Sequence, residues 1–155
     1  MIQRIQTLYL LAAGGLFFAL LFLPLTDIQS GDVFYSFSVA GLYTTASPTE
    51  LAYPTWSLLT VAAIIILLSL ITVFMYGKRV FQIRFCVYNA LLMIGFCGLY
   101  GFYLWQFRQS PELPDMKISL RFWTCFPLVA LILDYLAIRS IGADEVMVRS
   151  LDRLR

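Results

Sequence analysis

Four long apolar runs, separated by short polar stretches, limit what this chain can become more than any other feature. They cover residues 5–25, 56–76, 80–107 and 118–138. A helix rises about 1.5 Å per residue, so twenty residues reach about 30 Å, the thickness of the hydrocarbon core of a bilayer. A chain of 155 residues that is 61% hydrophobic and only 13% charged cannot hide four such runs in one soluble core. The expectation is an all-α membrane protein, a single membrane domain over 1–155 built as an antiparallel bundle of four transmembrane helices.

The polar stretches set the orientation. Residues 26–55 carry Asp27, Asp32 and Glu50 with no Lys or Arg, as expected of an external loop, and 108–117 forms a second one. Eight of the eleven basic residues, including Lys78, Arg79, Arg84 and Arg139, fall at the opposite end, and three, Arg108, Lys117 and Arg121, fall outside. Both termini, the loop 77–79 and the tail 139–155 are therefore placed in the cytoplasm. Arg4 before the first run also suits a cleavable signal peptide, but the run is long and lacks a small-residue cleavage site, which favours a retained helix ending at Pro24. Within the first external loop, 32–39 and 42–45 are rich in aromatic and β-branched residues, predicting a short β-hairpin that turns near Gly41 and rests Phe34, Phe37 or Tyr43 on the helix ends.

Polar and small residues inside the apolar runs mark positions of interest. Asp134 is the one acid within a span, and a charge at that depth needs a partner. Arg84 has comparable depth, so Asp134, Arg84 and Asn89 are expected to form an intramembrane polar lock, with an ion or proton site as the competing reading. Gly95, Gly98 and Gly101 recur every three residues and predict a helix-packing ridge. Ala12, Ala13, Gly14, Gly15 and Ala19 similarly allow a close neighbour to the first helix. Arg121, near the outer end of the fourth run, can meet the acidic residues of the first loop or snorkel to headgroups. The tail has Asp144 and Glu145 early and Arg149, Arg153 and Arg155 late, which suits a helix dipole. Ala143, Met147, Leu151 and Leu154 form an apolar stripe along it. That amphipathic C-terminal helix, with Lys78 and Arg79, is the expected partner-binding surface.

Several function classes lose support. The chain has no histidine, and Cys86, Cys97 and Cys125 lie in apolar runs without metal-ligand or redox spacing. No phosphate loop or nucleophile–base pattern occurs, so no catalytic residue, metal or cofactor is expected. A net charge of +2 gives no field for nucleic acid.

The opening Met1-Ile-Gln-Arg-Ile-Gln-Thr-Leu-Tyr-Leu10, the Asp27 loop, Lys78-Arg79 through Arg84, Arg139-Ser-Ile, and Val148 to Arg155 together resemble the Bacteroidota four-span membrane proteins known only as a domain of unknown function (DUF4293-like). That resemblance spans nearly the whole chain. It implies a multi-pass protein of the bacterial inner membrane and supplies no reaction, cofactor or substrate. The residues themselves suggest a non-catalytic scaffold or accessory subunit that contacts lipid and a protein partner. The alternative is a small transporter or a lipid or hydrophobic-ligand binder.

Overall fold

The computed structural model describes residues 3–45, 47–75, 79–110 and 116–152. Four helices and five strands follow in the order α1 (Gln3–Leu20), β1 (Thr26–Ser30), β2 (Val33–Phe37), β3 (Gly41–Thr44), β4 (Ser47–Pro54), α2 (Trp56–Phe74), α3 (Arg79–Gln109), β5 (Lys117–Leu120), a single 3-10 turn (Phe122–Cys125) and α4 (Phe126–Asp152). Each helix packs on its neighbours around a ring, α1 on α2 and α4, α3 on α2 and α4. An antiparallel sheet of order β4-β3-β2-β1-β5 covers one end.

The all-α expectation is therefore corrected, because the polar end is an α+β cap. β2 and β3 pair Phe37 with Leu42 across a turn held by Ser38 N–H to Gly41 O at 2.9 Å, where the sequence placed its hairpin. They form only the middle of the sheet. β1 precedes them through a tight connection at Gly31, whose φ of +57° lies where glycine is favoured. β5 was expected to begin the fourth helix. Its Lys117-Ile-Ser-Leu120 alternates polar and apolar residues, a period of two that suits a strand, and it pairs with β1 from Gln29–Lys117 to Thr26–Leu120.

The first run is corrected too. α1 has 18 residues and stops at Leu20, short of the Pro24 boundary expected for the first span, and its apolar part, Ile5–Leu20, is shorter than those of the other three helices. Leu25, counted with the first span, already belongs to the cap: its N–H donates to Phe37 O at 2.8 Å, and its carbonyl accepts from Arg121 N–H at 3.2 Å and Thr124 Oγ1 at 2.5 Å. Among the described residues three helical segments are long and apolar enough to cross a membrane, Trp56–Phe74, Val80–Gln109 and Phe122–Ala143. The tail is no separate surface helix, since α4 runs unbroken through Asp152.

The cap sits on an aromatic floor. Phe37, fully buried, stacks on Tyr100 at 5.7 Å between ring centres and meets Phe107 edge-on at 5.4 Å. Hydroxyls finish the joint: Thr26 bonds Tyr100, Thr55 Oγ1 donates to Val39 O at 3.1 Å, and Ser57 and Tyr103 share a 2.7 Å bond. Below it, Phe17, Leu20, Ile28, Ile65, Met93 and Phe96 make one continuous apolar core. The aromatic outer end of α3 divides accordingly. Phe102 and Trp105 face outward, whereas Tyr100, Tyr103 and Phe107 support the sheet.

Candidate functional site in the buried polar layer

Beyond that core, toward the end away from the sheet, polar side chains take over the interior. Ser69 and Thr72 of α2, Gln82 and Asn89 of α3, Gln6 of α1 and Asp134 of α4 are all buried. Most of them join helices. Gln82 Nε2 donates to Thr72 O at 3.3 Å, near the end of α2 where backbone carbonyls run out of helical partners. Gln6 Nε2 donates to Ser140 O at 3.1 Å, tying α1 to α4. Asn89 Nδ2 donates to Ser69 Oγ at 3.0 Å, tying α3 to α2.

Ser69 in turn leans on Gly14 of α1. A Cβ at that glycine would stand 3.1 Å from Ser69 Cβ, so this is the close helix approach that the small residues of the first run foretold. Gly95, Gly98 and Gly101 are different. All three face outward, and a Cβ on any of them would meet nothing within 4 Å. They make no packing ridge among the described residues.

Asp134 is fully buried, and neither carboxylate oxygen has a hydrogen-bond partner. Asn89 and Cys86 of α3 are the side chains that act on it electrostatically. Asn89 Oδ1 is likewise buried without a donor. The lock is thus half present, because Asp134 and Asn89 come together and Arg84 does not join them. Arg84 is exposed, its guanidinium 5.8 Å from the centre of the Phe81 ring. The reason is azimuth: each helical residue turns about 100°, so Arg84 lies about 200° around α3 from Cys86. Matching depth alone could not reveal that.

Among the remaining expected site residues, Lys78, Arg153, Leu154 and Arg155 lie outside the described residues. Arg79 opens α3, and Met147, Arg149 and Leu151 lie on the helical backbone of α4. Ser69 was missed, although a hydroxyl in an almost wholly aliphatic run was a visible signal.

Several concavities open on the surface of the described residues. A shallow apolar groove of about 200 Å³ lies between α1 and α2, lined by Leu10, Leu11, Gly14, Gly15, Phe18 and Ile66, with Ser69 at its floor. On the outer face of the sheet, Asp27, Gln29, Phe34, Tyr35, Lys117 and Arg121 line a polar cleft of about 430 Å³. Within it Arg121 Nε meets Asp27 Oδ2 at 2.6 Å, the expected contact between the fourth run and the first loop.

The sequence matches no curated protein. A family model does match, over residues 2–154, and its description carries no activity that could be laid over these residues. The chain belongs to the family described as Domain of unknown function (DUF4293).

Proposed function

We propose that the protein is a non-catalytic, multi-pass accessory subunit of the bacterial inner membrane, docking a protein partner at its cytoplasmic end. The supporting observation is that α4 continues without a break to Asp152, past Asp144 and Glu145, where charged residues follow the apolar run. Nine residues from Asp144 onward extend the rod by about 13 Å. On one helix, Ala143, Met147 and Leu151 recur every four residues and so share a face, the pattern of a helix that offers an apolar stripe to a partner. Arg149 adds a positive charge to the same helix, and Lys78 and Arg79 are the further basic residues expected to take part.

Affinity purification in mild detergent tests this reading, comparing the full chain with one ending at Ala143. That truncation keeps Ser140, which bonds Gln6, and the buried Ile141. A stoichiometric partner held by the full chain and lost from the shorter one is the expected result. An identical set of companions in both samples overturns it.

The apolar groove between α1 and α2 favours a second reading, a lipid or hydrophobic-ligand binder, with Ser69 as its one polar contact. Mass spectrometry of lipids that co-purify with the wild-type chain and are lost from Gly15→Leu separates the two readings.

A further inference from the structure

The polar layer holds more acceptors than donors. Asp134 contributes two oxygens and Asn89 one, all three buried and without a hydrogen bond of ordinary geometry, the Asn89 amide being the polar group that stands beside the acid. The amide nitrogen of Asn89 is engaged with Ser69 Oγ. Among the described residues no basic side chain offsets the acid: the guanidinium of Arg84 lies over Phe81, and Arg139 is exposed. On α3 the facing titratable group is Cys86, and α1 brings Tyr9 to the neighbouring apolar cluster. α2 has no titratable residue, and Tyr135, beside Asp134 on α4, points outward. Bare acceptors in a low-dielectric interior are costly unless something positive or hydrogen-donating reaches them.

The geometry points to a binding site for a small monovalent cation at Asp134 and Asn89, the occupant being a proton or a sodium ion. Both serve the same need. A proton forms an O–H bond on one carboxylate oxygen and lets it donate to Asn89 Oδ1; a sodium ion draws directly on the three oxygens. Toward the sheet the interior is closed by Phe17, Met93, Phe96 and Ala130, and Leu10, Cys86, Ala137 and Ile141 form a second buried apolar cluster toward the opposite end. At that end Gln6 also reaches the Ser140 carbonyl and Gln82 that of Thr72. An acid buried between helices inside the membrane is the usual mark of an ion or proton site.

The test uses the full chain in lipid nanodiscs. Its infrared carboxyl band is followed from about pH 5 to pH 9, and its melting temperature is compared in sodium chloride and in choline chloride at equal ionic strength. A protonated-carboxyl band that disappears reversibly with pH, and is missing from Asp134→Asn, identifies the proton. A melting temperature raised by on the order of 5 °C at sodium about a hundredfold above its dissociation constant, with no effect in Asp134→Asn, identifies sodium. Asn89→Ala retains the acid and should move the pH midpoint by about one unit or weaken sodium about tenfold, so the test does not depend on one variant folding. A wild-type carboxyl signal that ignores pH, together with a melting temperature that ignores sodium, overturns the proposal.

Discussion

The sheet-covered end and the polar layer at the other end use similar residue types to opposite effect. Under the sheet, each buried hydroxyl has found a partner: Thr26 meets Tyr100, and Thr55 meets the Val39 carbonyl. Rings around Phe37 fill the space between them. In the polar layer Asn89 and Asp134 are as deeply buried, yet three acceptor atoms stay bare. Satisfied polar groups beside packed aromatics stabilise and fix one arrangement, whereas unsatisfied ones cost stability. The contrast teaches that the cap holds the fold together, while the polar layer retains a chemistry that stability alone would remove.

The largest effect should come from the cap. Phe37→Ala removes the ring that contacts Tyr100, Tyr103 and Phe107, leaving a cavity at the joint of sheet and helices. A loss of about 3–5 kcal/mol is expected, read by thermal or denaturant unfolding in detergent. A loss below about 1 kcal/mol would mean that the cap is a loosely held lid, and the comparison would fail. Gly14→Val should cost less, about 1–3 kcal/mol, because the added side chain collides with Ser69 and pushes α1 from α2. Gly98→Val is the control, since that position meets open space. Equal losses in the two variants would contradict the assigned packing.

Much of the helical framework could be read from the apolar runs, since a run of aliphatic residues bounded by Gly, Pro or charge announces itself locally. The sheet could not. Its outermost pairing joins Asp27 to Ser119, residues far apart in the chain, and β5 was concealed because it lies at the start of a run that reads as one helix. β4 carries Pro48 and Pro54, residues that argue against a central strand and are tolerated at an edge, which is where β4 lies. At the candidate site the sequence singled out Asp134 and Asn89 because polar residues are rare in such runs. It failed on Arg84, whose depth was readable and whose direction around α3 was not.

The smallest effect separates an exposed polar pair from the buried acceptors. Arg121 and Asp27 form an ion pair at 2.6 Å with both side chains well exposed, 44% and 37%. Water and salt screen such a pair, so its usual worth is about 0–1 kcal/mol. Arg121→Gln leaves untouched the backbone bond from residue 121 to the Leu25 carbonyl, which joins the start of α4 to the sheet. The variant should therefore unfold within about 1 kcal/mol of wild type, with the difference shrinking as salt rises. A loss above about 2 kcal/mol that persists at high salt would mean that the pair is structurally central, and that cap stability depends on charge as well as on the aromatic floor.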